Sequence, residues 1–229
     1  MMVGIGIAGL LSLFLSSCLK DNSSYVAPPT ALVTFYQASP DEPQMNLDFN
    51  TNQVNQTPIN YGDHIDYFNV YAGQRTVNFF NTGSLNPIYS TNVTIVANTA
   101  YSLFLANTAA HPEVVLLTDT LNRPASGSGS IRLVNLSPDA PAVDLAVQGG
   151  SVLVSNRVFK GYSSFLPIAA KSGYTLQVLQ TGTNTVLATL PNITINNGFL
   201  YTLVFRGLAT TLNNADKLTA DLVTNAYFY

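Results

Sequence analysis

The chain of 229 residues is 47% hydrophobic but only 9% charged, and its formal net charge is −3. Average soluble domains carry about 25% charged residues, and the scarcity here, with no cluster of Lys or Arg, excludes nucleic-acid binding through a basic face. It also disfavours surface helices, which draw solubility and i,i+4 pairing from Glu, Lys and Arg. Asn, Thr, Ser, Gln and Tyr are left to carry the polar surface of strands and turns.

Residues 3–17, VGIGIAGLLSLFLSS, form an apolar run without a charge, and Cys18 follows as the single cysteine. A membrane-spanning helix needs about 20 residues, so this shorter run fits the apolar region of a secretory signal. A lone cysteine forms no intrachain disulfide. Leu15-Ser16-Ser17-Cys18 resembles the bacterial lipobox, which implies lipidation of Cys18 as the mature N-terminus. The expectation is a signal peptide over residues 1–17 and a lipidated tether over 18–30, polar and carrying Pro28-Pro29. Leu19 stands where an aspartate would resemble the inner-membrane retention signal, so the expected location is the outer membrane or cell surface, with the membrane as a partner through the lipid.

The remainder is written twice. SPDEPQMNL at residues 39–47 returns as SPDAPAVDL at 137–145; Asp41 and Asp139 lie 98 residues apart, Gly83 and Gly182 lie 99, and Tyr101 and Tyr201 lie 100. Slow drift of this kind is what turn insertions produce between two copies of one fold. The copies place domains at 31–119 and 130–229, joined by a linker at 120–129, TLNRPASGSG, whose Pro, Gly and Ser mark flexibility. Within each copy the period is two: Met45, Leu47 and Phe49 alternate with Asn46, Asp48 and Asn50, and Val143, Leu145 and Val147 alternate with Asp144, Ala146 and Gln148. Tyr201, Leu203 and Phe205 continue the pattern, although Val204 makes the opposite face less than cleanly polar. Strand-like runs recur every 8–12 residues or so with turn residues between them, the spacing of a sandwich. The fold class read from this is all-β: two tandem Ig-like or transthyretin-like antiparallel β-sandwich domains. Only residues 213–222, NNADKLTADL, suggest a turn or two of helix. In the repeated motif, Pro40 and Pro138 fix φ for a β-turn, Pro43 and Pro141 block a helix, and Asp41 and Asp139 are expected to bond the local backbone.

An apolar strand, then SPDAP, then an apolar-Asp-Leu strand, with a later Thr181-Gly182-Thr183 turn and a Tyr-Thr-apolar strand at Tyr201, resembles the bacterial domain of unknown function 4397. The resemblance is strongest in the second copy, at residues 134–145 and 174–205. It implies a tandem domain of the kind found in secreted proteins and lipoproteins, many of them from Bacteroidetes, and no activity. The first copy departs from the pattern at Glu42, at Asn46 and across residues 62–73, GDHIDYFNVYAG.

The inventory for catalysis is thin. His64 and His111 have no G-x-S-x-G elbow beside them, nor zinc-type spacing, and Asp41, Glu42 and Asp48 do not form a D-x-D-x-D-G calcium loop. No catalytic residue, metal site or cofactor is therefore expected. The first copy sets seven acids against Arg75, the second six bases against four acids, an asymmetry that favours contact between the domains or between molecules, unless it reflects drift after duplication. Tyr61, Tyr67 and Tyr71 cluster where the copies diverge and are the candidate interaction surface. Asp119-Thr120-Leu121 resembles a short O-glycosylation motif of Bacteroidetes exported proteins and makes Thr120 the candidate modification site. The expected function is a non-enzymatic surface lipoprotein acting as an interaction or envelope-scaffold module, its partner an envelope protein or glycan. A pilus subunit or adhesin is the first alternative, weakened because the first Arg, Arg75, falls in mid-domain; a glycan-binding protein is the second.

Overall fold

The computed structural model describes residues 27–229. The expected signal peptide, lipidation at Cys18 and most of the tether lie outside the described residues.

The first copy folds as eight strands: β1 (Thr30–Gln37), β2 (Met45–Phe49), β3 (Asn52–Gln53), β4 (His64–Tyr71), β5 (Gly73–Asn81), β6 (Tyr89–Ile95), β7 (Ala100–Ala106) and β8 (Glu113–Asp119). The second repeats the set as β9 (Ser128–Asn135), β10 (Val143–Val147), β11 (Val152–Arg157), β12 (Leu166–Ala169), β13 (Lys171–Gln180), β14 (Val186–Ile195), β15 (Phe199–Arg206) and β16 (Thr219–Tyr227). The sheet orders are β4-β1-β7-β8 and β3-β2-β5-β6 in one copy, β12-β9-β15-β16 and β11-β10-β13-β14 in the other. One correction to an all-antiparallel sandwich follows. β1 pairs in parallel with β7 (Val33 opposite Tyr101), and β9 with β15 (Ile131 opposite Tyr201). Hydrophobic period reports which face is buried and is blind to strand direction; here the chain crosses to the outer sheet after β1, returns at β4, crosses again for β5 and β6, and comes back beside β1 at β7.

Three apolar clusters stack these sheets into four layers. Phe35, Leu47, Phe79, Leu103 and their neighbours fill the space between the first pair of sheets. Leu133, Leu145, Val178 and Leu203 do the same in the second pair. The third cluster, with Tyr36, Phe104, Val115 and Leu117 from one copy against Val134, Leu136, Val204 and Val223 from the other, joins the two inner sheets. β7 therefore buries both faces: Tyr101, Leu103 and Leu105 enter its own core, while Ser102, Phe104 and Ala106 meet the second copy. Val204, which spoiled the alternation of β15, is accounted for in the same way. A strand covered on both sides reads as a near-continuous apolar run.

Matching bonds recur in the two copies. The Tyr101 hydroxyl accepts from the Val96 amide, and the Tyr201 hydroxyl from the Asn196 amide, each at 3.1 Å. The expected helix near residues 213–222 shrinks to a single 3-10 turn, Asn214–Asp216, started by the Asn213 side chain accepting from the Ala215 amide. The rest is drawn into β16, whose pairing along the whole of β15 outweighs local helix propensity. β9 opens at Ser128, so the last two residues read as linker belong to the sheet. Within that stretch the Arg123 Nη2 donates to the Tyr229 carbonyl at 2.7 Å and the Gly127 amide to Asn197 Oδ1 at 2.7 Å.

Candidate functional site

The repeated SPD motif is a clasp. Ser39 and Ser137 are buried, their amides donating to Gln37 Oε1 at 2.7 Å and Asn135 Oδ1 at 3.0 Å. The carboxylates reach past the local turn to the loop that follows the seventh strand of each copy. Asp139 accepts from the amides of Ala209 (2.8 Å) and Thr210 (3.0 Å) and from the Thr210 hydroxyl (2.7 Å), whereas Asp41 accepts from the Ala109 amide at 2.9 Å. Burial would raise the Asp139 carboxyl, but these donors outweigh it and hold it below the ordinary range. Asp144 is likewise structural, accepting from the Asn156 amide and the Thr181 hydroxyl, both at 2.7 Å.

Between the inner sheets lies a buried polar network. Asp119, the last residue of β8, pairs with Arg132 of β9, Nη1 to Oδ1 2.7 Å, with the side chains 0% and 2% exposed. Asp119 Oδ2 accepts from Ser102 at 2.8 Å and from the Tyr67 hydroxyl. Arg132 donates onward to Ser102 Oγ at 2.7 Å and Thr202 Oγ1 at 2.8 Å, and its guanidinium lies 4.5 Å from the centre of the Phe165 ring. Asn225 completes the circuit by accepting from Thr202 at 2.5 Å. A second cluster sits at the rim. Arg206 Nε donates to the Tyr36 hydroxyl (2.9 Å) and to Asp221 (2.6 Å), and the guanidinium stacks 4.1 Å over the Tyr61 ring. Gly62, at φ +89, leaves room for that guanidinium; a Cβ there would stand 2.7 Å from Nη2. Lys160 meets Glu113 at 2.6 Å. The Asp119–Arg132 and Glu113–Lys160 pairs both join an acid of the first copy to a base of the second, the polarity of the charge asymmetry.

These contacts set the titration of the groups involved. Burial raises the Tyr36 phenol well above its usual value, against the pull of Arg206 and with the support of Asp221. Tyr67 is raised by burial and then by Asp119. Burial alone would disfavour the Arg206 charge, but Tyr36, Tyr61 and Asp221 more than offset it.

The three candidate tyrosines do not share one surface. Tyr67 and Tyr61 are half-buried in the inter-repeat contacts just described. Tyr71, at the end of β4, is 50% exposed. A cleft of about 260 Å³ at this end of the first sandwich is lined by Phe49, Asn52, Phe68, Asn69, Tyr71 and Arg75, with Arg75 Nε donating to the Tyr71 carbonyl at 2.8 Å. Sequence reasoning missed Phe49 and Phe68, because both read as ordinary core positions of alternating strands.

His64 lies 3.7 Å from Asp66, with both side chains exposed, and His111 is exposed in the loop before β8. Among the described residues no group of three His, Cys, Asp or Glu is placed to hold a metal ion. Burial raises the Glu42 and Asp48 carboxyls, with Asp41 adding to the effect at Glu42. Arg75 stands inside β5, opposite Val93 of β6. Thr120 is exposed just past β8, while its neighbour Asp119 is taken up by the buried ion pair.

Among solved structures, the chain is similar to the Bacillus anthracis TIE protein (10% identity, TM-score 0.25, covering 78% of this chain) and spans about a third, 34%, of that protein's length. It is also similar to a family-26 carbohydrate-binding module from Eubacterium rectale Amy13K, solved with maltoheptaose (9% identity, TM-score 0.26, 85% of this chain and 95% of that one). A third similarity is to a streptococcal virulence factor described as binding alpha-glucan (12% identity, TM-score 0.24, 78% and 92%). Overlaps this slight carry no functional argument. No curated protein matches the chain. Residues 31–146, from β1 through most of β10, match the family described as Domain of unknown function (DUF4397), so the match takes in the whole first copy and the opening of the second. The chain belongs to the DUF4397 family.

Proposed function

We propose that the chain is a non-enzymatic cell-surface lipoprotein, an interaction or envelope-scaffold module whose two sandwiches act as one rigid body on a lipid tether. The observation that carries this reading is the four-layer stack. A buried ion pair, a ring of hydrogen bonds and an apolar cluster lock the inner sheets together, and the two outer sheets face away from each other. A flexible pair of domains suits independent binding events; a single stiff body suits holding a surface at a fixed distance from an anchor. The chemistry-bearing side chains support it from the other direction, since Asp41, Asp139 and Asp144 are spent on backbone donors and Asp119 on Arg132.

Membrane fractionation tests it. The native chain sediments with outer membranes, is labelled by a palmitate analogue and is trimmed by protease added to intact cells. Cys18→Ala moves it to the soluble fraction and abolishes the label. Equal membrane retention of the variant would overturn the lipid anchor, and full protease protection in intact cells would overturn the surface location.

A further inference from the structure

The open end of the first sandwich brings a cation without a counterion to the mouth of an apolar cleft, and strand register settles which side chains face inward there. Directly opposed residues share a face of a sheet, as do residues two apart on one strand. Phe49 pairs with Val77 on one side and with Asn52, across the hairpin turn, on the other; Arg75 lies two residues from Val77 and pairs with Val93. Val77 and Val93 belong to the core cluster of the first copy, so Phe49, Asn52 and Arg75 share the inward face of the outer sheet. On the facing sheet Phe68 pairs with Val33 and Val70 with Ala31, both core residues, so Phe68 and Val70 also face inward. These five residues line the cleft of about 260 Å³. Phe49 and Phe68 meet edge to face from the two sheets, with centroids 5.8 Å apart.

The charge at Arg75 is more than the fold asks for. Its Nε donates to the Tyr71 carbonyl at 2.8 Å and its Nη2 to the Ala72 carbonyl. In the second copy Tyr174, which pairs with Ile193 as Arg75 pairs with Val93, donates its hydroxyl to the Ala169 carbonyl at 3.0 Å. A neutral phenol thus serves the second copy for the same bond. Arg75 is the single charged residue of the cleft lining, and no carboxylate pairs with it among the described residues. Asp48, next to Phe49 in sequence, lies on the opposite face of β2. A guanidinium has five N–H donors in a planar fork, so the two bonds to carbonyls leave donors for an anion. A single cation is matched by a monoanion, and the planar fork by a carboxylate. The walls select the rest of the ligand, since Phe49, Val54, Phe68 and Val70 offer apolar surface. A cavity of about 150 Å³ takes a benzene ring and pockets for drug-sized ligands start at about 300 Å³, so the cleft suits one ring or a short chain.

We propose that this cleft binds a small apolar monocarboxylate, its carboxylate on the Arg75 guanidinium and its body against Phe49 and Phe68. The site goes beyond the lipid-anchored module and does not rest on it. The test takes the chain with residues 1–18 removed and titrates it with phenylacetate and hexanoate, followed by calorimetry and by amide chemical shifts. Phenylacetamide and hexanamide control for the charge, acetate for the apolar body and glucuronate for a polar one. Both apolar acids shift the resonances of Phe49, Phe68 and Arg75 and bind about tenfold more tightly than their amides, a margin that shrinks as salt rises. Acetate and glucuronate leave the cleft unshifted. Arg75→Tyr installs the residue of the second copy, keeps a donor for the Tyr71 carbonyl and removes the charge. It abolishes the preference for acid over amide while the unfolding midpoint stays near the native one. Arg75→Lys, which keeps the charge, retains the preference and covers the case in which Arg75→Tyr fails to fold. Amides bound as tightly as acids, glucuronate bound as tightly as phenylacetate, no shift at the cleft with either apolar acid, or a preference that survives Arg75→Tyr would each overturn the proposal.

Discussion

Asp119 closes β8 and Arg132 lies in the middle of β9, separated in sequence by the linker and joined in space by a 2.7 Å ion pair almost without exposure. Asp119 Oδ1 meets the guanidinium and no other donor, while Oδ2 is held by Ser102 and Tyr67. Removing one member leaves the other charged in an apolar interface. Asp119→Asn or Arg132→Met is therefore expected to cost about 3–5 kcal/mol, whereas Asp119→Leu combined with Arg132→Met falls much closer to the native stability. Denaturant titration of the three variants measures this, and a single-variant loss under about 1 kcal/mol, typical of exposed pairs, would place the pair in solvent.

Phe104 points away from its own sandwich into the third cluster, with its ring 6.3 Å from Tyr36. If the repeats are packed together, Phe104→Ala costs about 3–5 kcal/mol, as in any core. A solvent-facing Phe104 would make the change nearly neutral. Thermal and denaturant unfolding decide between these outcomes.

Alkaline pH loosens the same interface. Tyr36 and Tyr67 are raised by burial above the ordinary phenol value of 10.0, so above that pH the unfolded chain gives up protons that the folded chain retains. Their contribution to stability is complete below about pH 10 and is lost as pH climbs toward the folded values. The unfolding midpoint is expected to drop between about pH 10 and 11, and Tyr36→Phe reduces the slope. A midpoint flat across this range would contradict the burial of both hydroxyls.

Acid acts at the clasp. The Asp139 carboxyl is lowered, so it stabilises the fold above the ordinary carboxylate range and ceases to as pH falls through its folded value. Asp139 is largely exposed, which tempers the effect. Asp139→Ala removes three donors' common acceptor and is expected to cost about 1–2 kcal/mol, more than Asp41→Ala, which removes one. Paired denaturant curves at neutral pH give the comparison; equal losses would mean that the clasp does not depend on the number of donors.

Much of this architecture is legible in the sequence because strands with one wet face declare themselves. Met45, Leu47 and Phe49, and Val143 and Leu145, alternate as a half-buried strand must, and the two SPD motifs set the repeat. The inner sheets are harder. In β7 both faces are apolar, and Phe104 looks like any other core residue until a second sandwich is seen to cover it. Asp119 suggested a modification motif because three letters carry no information about burial. Tyr61 and Tyr67 lie where the copies diverge, and both meet the second copy there, Tyr61 under Arg206 and Tyr67 beside Asn225. Of the three, Tyr71 alone stays half exposed.

The central claim is that two copies behave as one body. Scanning calorimetry of the chain with residues 1–18 removed tests it most directly. The buried pair and the shared apolar cluster predict one transition whose calorimetric and van't Hoff enthalpies agree. Two resolved transitions, each with about half the total enthalpy, would contradict it.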